Sequence, residues 1–172
     1  MTKKTTLALV TALVATTLAL PALGNAAPGE RVRDQFGGPY SFSVPCEPYG
    51  YAFDVLVEGS DRFVITDVFD ESGTLIRTEI RASLTETNTN SVTGKSLTLK
   101  GHVHIVFDYA DNTRTLTGVV YMGRTSEGTS FQDTGRIVVT LDTSIATFVA
   151  GPHEVFFGGG IDKMACEALA GL

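Results

Sequence analysis

Three histidines are the residues of this chain whose type and spacing most suggest catalysis. His102 and His104 are separated by one residue within "GHVHIVFDY", residues 101–109, and His153 lies well downstream. Two histidines on one strand and a third from elsewhere can form the ligand set of a catalytic zinc ion. Whether they do so depends on the element that carries them and on the face from which they project.

The alternation of side chains around the histidine pair argues against a metal site. Residues 97–109 carry apolar side chains at odd positions, which is typical of a half-buried β-strand. Both histidines fall at even positions, on the same face as Lys100 and Asp108. A catalytic zinc needs a shaped cavity and supporting hydrogen bonds, which an exposed face does not offer. The sequence therefore predicts no metal; a site of His102, His104 and His153 is the weaker alternative.

The same period of two recurs along most of the chain and predicts an all-β protein. About eight antiparallel strands joined in sequence are expected, at residues 40–44, 53–57, 63–69, 76–84, 97–109, 114–122, 131–141 and 145–149. A closed barrel would hide both edges of such a meander, and a β-sandwich is the alternative. Residues 85–96, rich in Thr, Asn and Ser, are interpreted as an exposed loop at one end of the barrel.

Two hairpin loops set the expected pairing of neighbouring strands. A loop at residues 71–74 places Asp67 opposite Thr78. A loop at residues 110–113 places Phe107 opposite Leu116 on the apolar face.

Two carboxylates break the apolar pattern. Asp67 and Asp133 both fall at positions whose parity directs them into the interior. A carboxylate there is costly unless it is paired or hydrogen-bonded, and Thr78 is one available partner. Polar anchors in an apolar cavity are typical of small-molecule sites, and a carboxylate pair can also transfer protons. Asp67, Thr78 and Asp133 are therefore the predicted ligand-binding residues, unless bulges turn the carboxylates outward; no catalytic residue is predicted.

The N-terminal residues 1–26 have the pattern of an export signal. Lys3 and Lys4 precede an apolar segment at residues 7–20, and small residues at 24–26 offer a cleavage site. The apolar segment is too short for a stable membrane anchor. We expect a secreted, extracellular chain with no membrane anchor.

Two cysteines complete the expected organisation. Cys46 and Cys166 in an exported chain predict one disulfide, because the close C-x-x-C spacing of zinc thiolates is missing. Cys166 lies in a segment with helical spacing of apolar residues. The expected divisions are a signal peptide at 1–26, a loose segment at 27–39, a β-barrel at 40–157, and a C-terminal helix at 158–172 held by the disulfide.

Charge excludes one class of partner. The chain has a net charge of −6 at pH 7, and its lysines and arginines are dispersed. A nucleic-acid-binding protein needs a clustered basic face, so we expect no nucleic-acid partner. No motif indicates a cofactor, and the chain could be a monomer or an oligomer.

Three segments of the chain resemble known sequences. "NSVTGKSLTLKGHVHIVFD", "DTGRIVV" and "AGPHE" resemble segments of uncharacterised secreted β-rich proteins of actinobacteria, over roughly residues 53–166. The meander also resembles calycin and allene-oxide-cyclase or dirigent-like barrels in architecture. These resemblances imply secretion and a β-rich fold but no activity.

The expected function is binding rather than catalysis. An eight-stranded barrel is wide enough for one small ligand, so a binding module for a small, largely apolar molecule is the leading hypothesis. A structural or interaction protein with a filled barrel is the alternative. A metal-dependent enzyme using the three histidines is the third hypothesis.

Overall fold

The computed structural model describes residues 29–125, 128 and 130–171; the predicted export signal at 1–26 lies outside them. The described chain forms one antiparallel sheet, one 3-10 turn at Glu47–Tyr49, and two short helices near the C-terminus. The strands are β1 (Arg31–Pro45), β2 (Asp54–Phe69), β3 (Leu75–Asn90), β4 (Ser96–Asp108), β5 (Thr113–Thr125), β6 (Ser130–Thr140) and β7 (Ala146–Ala150). The helices are α1 (Glu154–Gly158) and α2 (Ile161–Ala170).

The sheet is a simple meander, which confirms the prediction of an all-β fold. Its strand order is β1-β2-β3-β4-β5-β6-β7, and each strand pairs only with its neighbours in sequence. Among the described residues β1 and β7 are therefore free edges, and the closed barrel is not confirmed.

The described residues form seven strands, fewer than predicted, because two of the predicted strands are parts of a single strand. Of the predicted strands at 53–57 and 63–69, all residues except Phe53 belong to β2, which pairs with β1 and β3 along nearly its whole length. Gly59 lies in the middle of this strand, where a Cβ would come within 2.8 Å of atoms of Tyr40 and Glu86. The glycine thus allows close packing of neighbouring side chains and does not mark a turn.

Two predicted loops are also part of the sheet. Residues 31–39, expected to be loose, form the first part of β1. Residues 85–90, expected to be an exposed loop, continue β3 opposite β2 and β4. The polar composition that suggested loops reflects the exposed strand faces and, at the end of β3, a buried asparagine pair, Asn88 and Asn90.

One hairpin register is confirmed and the other is wrong. Asp67 lies opposite Thr78 as predicted. Phe107 lies opposite Arg114, whereas Leu116 lies opposite Ile105. The turn between β4 and β5 begins one residue earlier than expected, because the carboxylate of Asp108 accepts a hydrogen bond from the Asp111 amide. A slip of two residues leaves every side chain on its predicted face.

One face of the sheet, here called the core face, carries the hydrophobic core. Helix α2 packs across one end of it, where Leu97 and Leu99 of β4 are completely buried. The disulfide between Cys46 and Cys166 is present, with a Cα separation of 5.7 Å, and joins the end of β1 to α2. The predictions of the terminal helix and its disulfide are confirmed. No helix among the described residues is long and apolar enough to cross a membrane.

Beyond α2 the core face continues as a second apolar area, here called the open half. Its apolar side chains are mostly half-buried and lie outside the helix-covered cluster: Phe36, Phe63, Ile65, Ile80, Leu84, Val103, Ile105, Phe107 and Leu116. On β6, Ile137 and Val139 are almost completely buried. Their burial shows that this part of the core face is already shielded from solvent by the protein itself.

Candidate functional site

The three histidines do not form one site. His102 and His104 project from β4 on the face opposite the core face, here called the outer face. The Nε2 atom of His104 lies 3.8 Å from Glu79, while His153 is buried beside β6. Within the described residues no three His, Cys, Asp or Glu side chains are grouped as a metal site.

His153 is instead paired with one of the predicted ligand-binding carboxylates. Its Nδ1 atom lies 2.8 Å from Oδ1 of Asp133, and its Nε2 atom lies 3.1 Å from the carbonyl oxygen of Ala150. The second oxygen of Asp133 accepts a hydrogen bond of 2.7 Å from the backbone N–H of Phe156. Because a carbonyl can only accept, Nε2 carries a hydrogen. One more proton is then shared between Nδ1 and Oδ1, and the pair is neutral as a whole.

This geometry gives Asp133 a structural role. The side chains of Asp133 and His153 are 1% and 2% exposed, so a ligand in solvent does not reach them. The pair fixes the segment between β7 and α1 against β6. The carboxylate does point inward, which confirms the parity argument, whereas its predicted role in ligand binding is not supported by any contact and stays a prediction.

Asp67 and Thr78 lie on the open half, near the end of the sheet farthest from α2. The Thr78 hydroxyl donates a hydrogen bond of 2.6 Å to Oδ1 of Asp67, and Tyr109 donates one of 3.3 Å to the Thr78 hydroxyl. Both residues of the predicted pair are only half-buried. The second carboxylate oxygen of Asp67 makes no hydrogen bond within the described part of the chain, so it can accept one from a ligand.

Arg114 lies in the same cross-strand row as this pair. Thr78 is opposite Phe107, and Phe107 is opposite Arg114, whose other neighbour is Val139. The guanidinium therefore projects among apolar side chains, and burial lowers the pKa of Arg114. Its Nε atom is buried without a hydrogen-bond partner among the described residues. Such a group favours an anionic partner, because an unsatisfied buried donor costs about 1–3 kcal/mol.

A second polar group lies in the helix-covered half of the core face. The Tyr40 hydroxyl donates a hydrogen bond of 2.8 Å to Glu86, and the Asn88 side chain donates one of 3.1 Å to the same carboxylate. Burial and then Glu86 raise the pKa of Tyr40. Burial, followed by Glu86 and other nearby acids, raises the pKa of Tyr121 to about 12. Neither tyrosine supplies a base near neutral pH, and both remain hydrogen-bond donors.

Sequence reasoning missed Arg114 and Glu86, although one signal could have identified both. Along its strand, each occupies the odd or even positions that carry the inward apolar side chains, and the same is true of Asp67 and Asp133. Arg114 was overlooked because the hairpin loop was extended to residue 113, which left it at the very start of a strand. Glu86 was overlooked because residues 85–96 were assigned to a loop.

The site therefore consists of an apolar surface with a cation, a carboxylate and two hydroxyls along one row. These groups can orient a small molecule, but they include no activated nucleophile. No protein-family model, curated protein or solved structure matches the chain.

Proposed function

We propose that this protein is a secreted binding module that holds a small, largely apolar molecule with an acidic group on the open half of the core face. The apolar part of the ligand would lie against residues such as Ile105 and Leu116. Its acidic group would meet Arg114, and a hydroxyl or amine elsewhere on the ligand could reach Asp67.

The observation that carries this proposal is the Nε atom of Arg114, which is buried without a hydrogen-bond partner among the described residues, on a strand whose neighbours at this row are Phe107 and Val139. A protein without a ligand would gain from a hydrophobic residue there, since the buried Nε donor is left uncompensated among the described residues. An arginine fork matches a carboxylate with two parallel hydrogen bonds, which supports an acidic ligand over a neutral one.

Secretion is part of the same proposal. The Cys46–Cys166 disulfide supports it, because such bonds persist in oxidising compartments. The proposal does not require a closed barrel, since an open sheet can also present an apolar face to a ligand.

The second candidate function is a structural or interaction protein whose interior is filled by its own side chains, and one observation favours it. Ile137 is 0% exposed and Val139 is 1% exposed, so part of the open half is already covered by the protein's own side chains. In that case the sheet would serve as a rigid scaffold for contacts outside the cell.

The test compares laurate with dodecanol, which has the same chain length and no charge. Titration calorimetry and thermal unfolding of the purified protein should show that laurate binds and raises the melting temperature more than dodecanol does. Arg114→Met should weaken laurate binding by roughly tenfold, as expected for loss of a charge-assisted contact. The same variant should be as stable as the wild type without ligand, or more stable.

Arg136→Gln provides the matched control, because Arg136 lies on the outer face and contacts the Phe148 ring. It should bind laurate as the wild type does. The proposed site is wrong if neither compound binds, or if Arg114→Met binds laurate with the affinity of the wild type. The filled scaffold would then be the better explanation of the structure.

A further inference from the structure

A small depression on the outer face collects cationic side chains. Its volume is about 130 Å³, and its lining residues are Arg62, Val64, Arg81, Ala82, Ser83 and His102. The pairing of the strands explains the grouping: Arg62 lies opposite Ser83, and Ser83 lies opposite His102. Arg81 is two residues before Ser83 on β3, so it projects from the same face.

The basic side chains of this depression have no acidic partner within the described part of the chain. Arg62 donates one hydrogen bond of 2.8 Å to the amide oxygen of Gln35, which fixes the position of the guanidinium. No ion pair or hydrogen bond connects Arg81 or His102 with another side chain of residues 29–125 or 130–171. Glu79, the neighbouring acid on this face of β3, instead contacts Arg77 at 3.9 Å and His104 at 3.8 Å.

Such a grouping is unexpected in a chain with a net charge of −6. Like charges at opposite or diagonal positions of a sheet destabilise it unless another charge intervenes. The volume of about 130 Å³ is large enough for a phosphate ion. Two arginine forks and the Ser83 hydroxyl together present donors that match a tetrahedral oxyanion.

We infer that this depression is a binding site for a phosphate group, contacted by Arg62, Arg81, Ser83 and His102. The site is independent of the ligand proposed for the open half, because it lies on the opposite face of the sheet. The phosphate could be the free ion or part of a small phosphate ester.

The test uses nuclear magnetic resonance of the isotopically labelled protein, titrated with inorganic phosphate against chloride at constant ionic strength. Saturable shifts are expected at the side chains of Arg62, Arg81 and His102 and at the Ser83 amide. Arg81→Gln should weaken phosphate binding about three- to tenfold, since each charge-assisted contact at an exposed site is partly screened by solvent. Glycerol phosphate in a parallel titration distinguishes an ester from the free ion, and tighter binding of either one supports the site.

Arg136→Gln is again the matched control, since Arg136 lies on the outer face in the same cross-strand row as Arg81 but three strands away. Its phosphate affinity should equal that of the wild type. The inference is overturned if shifts grow linearly with phosphate across many surface cations, or if Arg81→Gln and Arg136→Gln behave alike. Binding to phosphatidylglycerol vesicles without saturable binding of either phosphate would also overturn it, because it would indicate a diffuse membrane-binding surface.

Discussion

Asp133 and Arg114 are both ionisable residues on the core face, but among the described residues only Asp133 has hydrogen-bond partners. Asp133 is 1% exposed, and both of its oxygens are hydrogen-bonded by His153 and the Phe156 amide. Arg114 has a buried Nε atom that finds no hydrogen-bond partner in the part of the chain that the structure describes. Parity alone treats the two residues in the same way, so the distinction between a structural charge and a candidate binding group requires the three-dimensional contacts.

The buried pair leads to a prediction about stability. Asp133→Ala should lower the free energy of unfolding by about 3–5 kcal/mol, because it leaves His153 buried without its partner. Asp133→Asn should cost clearly less, since the amide can donate to Nδ1 of a neutral ring while its oxygen still accepts from Phe156. Urea denaturation of both variants measures the difference.

Glu167→Ala is the control for this comparison. Glu167 forms an exposed ion pair with Lys163 at 3.6 Å, and its loss should cost at most about 0.5 kcal/mol. Equal effects of Asp133→Ala and Glu167→Ala would show that the buried pair does not hold the C-terminal segment.

At the scale of elements, helix α2 and the sheet share one core. Ala165 and Leu169 of the helix belong to the same buried cluster as Val55 and Leu97 of the sheet. The Asn90 side chain also donates a hydrogen bond of 3.3 Å to the carbonyl oxygen of Leu169. The helix is therefore part of the core and not only a cover over one end of the sheet.

The disulfide should nevertheless contribute measurably to stability. We expect a mass spectrum without reductant to show one intramolecular disulfide, and Cys46→Ala with Cys166→Ala to lower the free energy of unfolding. A loop of 120 residues gives an upper value of about 4–5 kcal/mol in the chain-entropy account. Circular dichroism should keep its β-sheet signal, because the pairing of the strands does not pass through the bond.

Cys166→Ser alone should be more destabilising than the double alanine variant. Cys46 and Cys166 are both completely buried, so the serine hydroxyl would be buried at a position where the native disulfide needs no hydrogen bond. Two free thiols in the protein purified without reductant, or identical unfolding with and without reductant, would refute the role assigned to this bond.

The elements also show which features the sequence could predict. Side-chain alternation identified the faces and placed His102 outside, and the hairpin loop at 71–74 placed Asp67 opposite Thr78 correctly. It could not place the turn after β4, where one hydrogen bond from Asp111 to Asp108 moves the register by two residues without changing the face. It also could not join residues 53–57 to 63–69, because a glycine between them is equally compatible with a turn and with close packing.

At the scale of the whole molecule, the open sheet leaves two edges that could pair with other chains. β7 has only 5 residues, and short edge strands resist such pairing. β1 has 15 residues and is the greater hazard. The Cys46 amide donates to Phe53 of the segment leading into β2, and the Glu30 carbonyl accepts from Phe69. Even-numbered residues around β1 therefore face β2, and odd-numbered residues direct their backbone groups to the free edge.

Both prolines of β1 lie at such edge-facing positions. Pro39 and Pro45 are odd-numbered, so each removes one N–H donor from the free edge without breaking a hydrogen bond to β2. This placement accounts for two prolines within a continuously paired strand. It also indicates that the free edge is protected against strand addition, which favours a ligand on the core face over a peptide partner along β1.

The edge prolines lead to the last prediction. Pro39→Thr with Pro45→Thr should keep the fold but restore two edge donors, and the variant should self-associate as its concentration is raised. Ser41→Thr with Ser43→Thr is the matched control: these residues also face the free edge, so the change adds β-branched side chains but no donor. Sedimentation velocity over a hundredfold concentration range measures both variants. If only the proline variant associates, the missing N–H donors are what prevents other chains from pairing with the β1 edge. If the two variants behave alike, the glycines, charges or twist of β1 prevent this pairing instead.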